Sequence, residues 1–82
     1  MTPTVFVVDD DAALREALVQ LLEAAGLQVE SYPDGAAFLL ACDQDRPGCL
    51  LLDVAMPGMT GLDVQAELVR RGIALPVVFL TG

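Results

Sequence analysis

The chain has 82 residues, enough for one domain, and its 55% hydrophobic content with a mean hydropathy of +0.60 suits a packed core rather than a disordered tail. Twelve acidic residues stand against four arginines, with no lysine and no histidine, for a net charge of −8; this disfavours nucleic-acid binding, which needs cations to neutralise phosphates, and excludes histidine triads, histidine-ligated zinc and a histidine phosphate carrier. No apolar run approaches the roughly 20 residues of a membrane span, the start "MTPTVFVV" lacks the basic region of a signal peptide, and two cysteines, Cys42 and Cys49, make neither a disulfide framework nor a four-ligand zinc site, so a cytoplasmic protein with reduced thiols is expected.

The first predicted element is a strand over Thr4 to Val8, apolar throughout as in a parallel sheet covered on both faces. Three aspartates follow. Asp11 fits a helix N-cap, since its carboxylate can accept a free N–H of the first turn. Leu14, Ala17, Leu18, Leu21, Leu22 and Ala25 then form one apolar stripe, with Arg15, Glu16, Gln20 and Glu23 off it, and Gly26 closes the helix. "LQVESY" alternates, so Leu27 to Tyr32 reads as an edge strand. "PDG" is a turn in which Asp34 can cap a short helix from Ala36 to Cys42 or Asp43. "CLLLD" is a third strand, again apolar and again ending on an aspartate, Asp53. After the loop "VAMPGMTG" comes a helix over "LDVQAELVRR", closed by Gly72, and then "LPVVFLT", a fourth strand that reads as central because it is apolar on both faces.

Strands alternating with helices imply right-handed crossovers and a doubly wound parallel sheet. In such sheets ligands bind beyond the carboxyl ends of the strands, where the strand order reverses. Asp9 and Asp10 end the first strand, Asp53 the third and Thr81 the fourth. With the first and third strands adjacent, three carboxylates and a hydroxyl share one crevice. Their repulsion calls for a hard cation with oxygen ligands, and Mg²⁺ fits because one or two carboxylates plus waters usually hold it. Taken singly, Asp11 is a helix cap, Asp9 a turn residue and Thr81 a β-branched strand residue. The joint pattern at three strand ends is what points to a site.

The segments "VVDDD", "LLLDVAMPGMTGLD" and "PVVFLTG" resemble the receiver domain of two-component response regulators, most of all receivers attached to helix-turn-helix transcription regulators. The resemblance implies a flavodoxin-like fold of strand order 2-1-3-4 over residues 1–82, an incomplete receiver lacking the fifth strand, the last two helices and an output domain. It implies that Asp53 is the phospho-acceptor for a sensor histidine kinase. Asp10 resembles the direct Mg²⁺ ligand and Asp9 the ligand acting through water, while Ala55 would lend its backbone carbonyl. Thr81 resembles the switch hydroxyl, with the Gly82 N–H beside it, and Pro57 and Gly61 match the loop that shapes the site. The family's lysine has no counterpart here.

A protein of this kind is not an enzyme, beyond assisting its own phosphotransfer and dephosphorylation. Two rival readings stand beside it. A haloacid-dehalogenase-like aspartyl-phosphate phosphatase also uses a strand-end Asp and Mg²⁺, but its signature needs a second acid where Ala55 stands. A pseudo-receiver would work through protein contacts without phosphate. Without a fifth strand the fourth becomes an open edge, so the chain is also expected to form a homo-oligomer by edge pairing or exchange of elements.

Overall fold

The computed structural model describes residues 2–42 and 46–80. Its elements run β1 (Thr4–Val8), α1 (Ala12–Ala24), β2 (Gln28–Tyr32), α2 (Gly35–Ala41), β3 (Gly48–Asp53), α3 (Gly61–Arg70) and β4 (Val77–Leu80). The four strands form one parallel sheet in the order β2-β1-β3-β4. The chain steps from β1 outward to β2, then back across β1 to β3 and on to β4. Right-handed crossovers therefore set α1 on one face of the sheet and α2 with α3 on the other. This is the expected flavodoxin-like arrangement, and the reversal of direction lies between β1 and β3.

The core lies on the α2–α3 face. Phe6 and Val8 of β1 and Leu50 and Leu52 of β3 point into it, against Phe38 and Leu39 of α2, Val64 and Leu68 of α3, and Met56 of the β3–α3 loop. Phe38 is wedged between Phe6 and Tyr32, with ring centroids 5.7 and 5.6 Å away, both tilted as aromatic quadrupoles favour. Helix α2 has only seven residues, too few to hold without packing. Asp34 caps it by accepting from Ala37 N at 2.8 Å, as its turn position predicts. Its far end is fastened by Arg71, whose Nη1 donates to the Leu39 carbonyl at 2.9 Å.

Both longer helices end in the same way. Gly26, at φ 86°, donates to Glu23 O while Leu27 N donates to Leu22 O, and Gly72, at φ 72°, repeats the pattern with Val69 O and Leu68 O reached from Gly72 N and Ile73 N. A residue with a side chain would strain at these left-handed positions. The start of α3 was not legible as a cap: Thr60, in what reads as loop, and Asp63, in the expected helix, form a reciprocal capping box.

The apolar stripe expected for α1 is only partly used. No residue of α1 is fully buried, and Leu14 and Leu21 are 44% and 68% exposed. The helix is turned so that Leu18, Val19 and Leu22 meet the sheet, with Arg15 half-buried among them. Strand β4, apolar enough to read as central, stands at the edge of the described sheet, as the order 2-1-3-4 requires. It is four residues long, and Val78 is 52% exposed. Among the described residues β3 is its only sheet neighbour. The expected boundaries at Asp43 and Thr81 lie outside the described residues.

Candidate functional site

Strand register builds the site. Val8 pairs with Leu52, so the next residues, Asp9 and Asp53, emerge side by side at the carboxyl edge of the sheet. One carboxylate oxygen from each of Asp9, Asp10 and Asp53 lies within 4.8 Å of the other two. These side chains open onto a cleft of about 400 Å³ whose walls are Asp9, Asp10, Asp11, Leu14, Asp53, Ala55 and Leu80. Leu80 is there because it pairs with Asp53 across β3 and β4. Thr81 and Gly82, the other two residues assigned to this edge, lie outside the described residues.

The three acids differ in setting. Asp9 is 2% exposed, and its backbone and side chain are held on three sides. Its N–H donates to Tyr32 O at 3.3 Å, continuing the β1–β2 ladder. Its Oδ1 accepts from Asp11 N at 2.9 Å, and its carbonyl accepts from Arg15 Nη1 at 2.7 Å. Of these contacts the one from Asp11 N reaches the carboxylate itself, and a carboxylate this deep needs such a donor, because desolvating an unpaired charge is costly. Asp53 is half-buried and its Oδ1 accepts from Ala55 N at 3.1 Å, which fixes the plane of the carboxylate. Asp10 is exposed. Asp11 faces the helix instead, accepting from Ala13 N and Leu14 N at 3.0 and 3.1 Å, the capping role its position predicts.

The loop after Asp53 is packed tightly. Val54 N donates to Leu80 O and Gly61 N to Val54 O. A Cβ on Gly61 would stand 2.5 Å from the Asp53 carbonyl oxygen, so only glycine lets α3 start this close to the end of β3. Pro57 is exposed and does not line the cleft.

The donor set is all oxygen, two of its members are on adjacent strand ends, and one side is open. Such a set suits a hard, partly hydrated divalent cation and does not suit zinc or copper, which favour nitrogen and sulfur. Arg15 was not legible as part of this edge, since it falls off the apolar stripe. The available signal was its place four residues after the cap, from which a helical side chain leans back toward the N-terminus.

A parallel doubly wound domain with an acidic cluster at its switch point has its ligand-binding edge where such folds usually have it. The receiver domain model of response regulators matches residues 5–82, and the chain belongs to that family. It is 45% identical over 78 residues to the response regulator protein TmoT of Ectopseudomonas mendocina, covering 95% of this chain and 36% of the relative. It is 46% identical over 78 residues to the transcriptional regulatory protein FixJ of Azorhizobium caulinodans, covering 95% and 37%. The solved structure of the response regulator StyR superposes with a TM-score of 0.97 at 44% identity, over all of this chain and 41% of that one. The chain thus spans about a third of the length of the curated relatives it matches. Receiver domains typically bind Mg²⁺ at an acidic pocket, and Asp9, Asp10 and Asp53 form an acidic cluster at the sheet edge here. Among the described residues no helix is long and apolar enough to cross a membrane.

Proposed function

We propose that Asp53 accepts a phosphoryl group from a phosphohistidine of a sensor histidine kinase and that the acidic cluster holds the Mg²⁺ this transfer needs. The observation that carries the reading is the meeting of three carboxylate oxygens within 4.8 Å at the mouth of an open cleft. Asp9, Asp10 and Asp53 would hold the ion, with the Ala55 backbone carbonyl completing the protein's share. When bound, Mg²⁺ supplies neutralisation of charge on the equatorial phosphoryl oxygens. Ala55 N–H holds Oδ1 of Asp53 and leaves Oδ2 for bond formation. Oδ2 forms the new O–P bond as the P–N bond to the donor histidine breaks, the electron pair returning to the imidazole, and an acyl phosphate results. In this reading Thr81 is the hydroxyl that turns toward the phosphoryl group, and the Gly82 N–H donates to it. The added charge and acceptor oxygens then bias a two-state element toward an output, transcription control, carried outside these residues. The setting that fits is the cytoplasm, with no direct contact to nucleic acid from this chain.

Incubation with acetyl phosphate and Mg²⁺, followed by mass spectrometry, tests the reading. A phosphoryl adduct on Asp53, absent from Asp53→Asn, is expected. It should form slowly, because these 82 residues contain no lysine to clamp the phosphoryl group. No adduct at any time would overturn the phospho-acceptor role and favour a module that works by protein contact alone.

A further inference from the structure

We infer that Arg15 is a positioning residue of the acidic cluster: by holding the Asp9 carbonyl it sets where the Asp9 carboxylate can present itself to a cation. The inference rests on the metal-binding reading above for its consequence and on the contacts of this chain for its cause.

Among the described residues, three of the four arginines are engaged with carboxylates. Arg46 pairs with Glu30, and Arg70 and Arg71 both pair with Glu67. Arg15 makes no ion pair among those residues. Its Nη1 instead donates to a backbone oxygen, that of Asp9, at 2.7 Å, a short distance for a charge-assisted bond. The Arg15 backbone N–H donates to Asp11 O at 2.9 Å, the first bond of α1. Both ends of the residue therefore grip the same turn.

The placement is not explained by helix stability. A cation reaching back past the first turn lies beside the positive end of the helix dipole, where it is disfavoured. It is not explained by core packing either, since guanidinium contributes little apolar area. What Arg15 touches is the one acid of the cluster that is buried. The Asp9 carbonyl follows the last residue of β1, Val8, so the β1–β3 pairing that ends at Val8 and Leu52 does not extend to it. With Tyr32 O holding its N–H and Arg15 holding its C=O, the peptide planes on both sides of Asp9 are fixed. Its side chain then has one supporting donor, Asp11 N, whose own position depends on the same turn. Contacts that hold a ligand residue in place, here at its backbone rather than at its carboxylate, can govern metal affinity as hydrogen bonds to the ligand group do.

Arg15 could act in two ways that predict opposite signs. As a bare charge it repels a cation, so its removal would tighten Mg²⁺ binding. As a positioning residue its removal loosens Asp9 and weakens binding. The experiment compares the parent with Arg15→Met, which keeps the aliphatic stem, and Arg15→Lys, which keeps a donor of nearly the same reach. Mg²⁺ affinity is read by calorimetric titration, and the Asp11 amide by proton–nitrogen correlation spectra of the metal-free chain. Arg15→Met should weaken Mg²⁺ about 10-fold and move the Asp11 amide resonance, and Arg15→Lys should restore most of both. Should Arg15→Met fail to fold, Arg15→Gln, whose neutral head is too short to reach the carbonyl, takes its place. Unchanged or tighter Mg²⁺ binding in the variant without the donor overturns the inference. So does a lowered thermal midpoint with affinity of the folded protein unmoved, the mark of a purely structural arginine. If the parent itself binds no Mg²⁺, the metal reading fails, and the Asp11 amide still decides whether Arg15 positions Asp9.

Discussion

Asp10→Asn should make the metal-free chain more stable at low ionic strength. Asp10 has no role in the helix cap, which belongs to Asp11, so the change removes a charge and leaves the local hydrogen bonds intact. Its neighbours in sequence repel it in the unfolded chain as well, and that part of the repulsion largely cancels. Its proximity to Asp53 exists only in the fold, with oxygens within 4.8 Å. Asp10 is exposed, so a water-like dielectric applies and the pair costs about 1 kcal/mol. Relief of that size raises the midpoint of thermal unfolding by about 4–8 °C for a domain of this size. Asp53→Asn removes two folded-state repulsions, with Asp9 and Asp10, and should gain roughly twice as much. Both gains should shrink in 1 M salt, where the screening length is about 3 Å. Saturating Mg²⁺ should reverse the order, because the parent alone gains the full binding free energy. Thermal and urea unfolding with chelator, with Mg²⁺ and with salt make the test. A metal-free Asp10→Asn no more stable than the parent at low salt would refute the account of the cluster as repulsive.

Gly61→Ala should cost about 1–3 kcal/mol by denaturant titration, because the new Cβ meets backbone at 2.5 Å that cannot step aside; a loss below about 0.5 kcal/mol would show that the loop yields. Acid should weaken the last turn of α3: the hydrogen bonds from Arg70 and then Arg71 hold the Glu67 carboxyl down at about 2. That contribution is complete above the ordinary value near 4.5 and is lost as pH falls toward 2, so Glu67→Gln should flatten the stability profile across that window and leave neutral pH behaviour otherwise alike. The 82-residue chain should self-associate, given the exposure of Leu14 and Leu21 on α1 and of Val78 on β4, which has one sheet neighbour among the described residues; sedimentation equilibrium at micromolar concentration showing a clean monomer would exclude this.

The order of elements was legible because parallel strands and amphipathic helices leave different periods in a sequence. "VFVV" and "CLLL" are unbroken apolar runs, and each ends on the acid that the β1–β3 register sets at the sheet edge. The rotation of α1 was not legible. A stripe from Leu14 to Ala25 says that a face is apolar but not which part of it meets the sheet, and the packing chose Leu18, Val19 and Leu22 over Leu14 and Leu21. The exposure of Val78 accords with the edge position expected for β4, although its apolar run alone records what a strand can bury and not what lies beside it. The Thr60–Asp63 box was hidden because a loop dense in proline and glycine masks the cap within it. Arg15 was missed because its partner is a carbonyl, and main-chain acceptors leave no trace in residue type.

The pairing of Thr4 with Gly48, and of each β1 residue with its β3 partner, joins segments separated by α1, β2 and α2. Every strand contact in a parallel sheet spans such a crossover, and chains built on distant contacts search slowly before those contacts repay the closure of the intervening loop. The acids at the edge are therefore strangers until that closure is complete. Asp53 reaches Asp9 and Asp10 only when β3 docks on β1, so the gathering of like charges falls on the same event that completes the centre of the sheet. An intermediate holding β1, α1 and β2 alone would carry a cap and a ladder but no cluster, so the appearance of the acidic site during refolding is a reporter of when the two halves of the sheet meet.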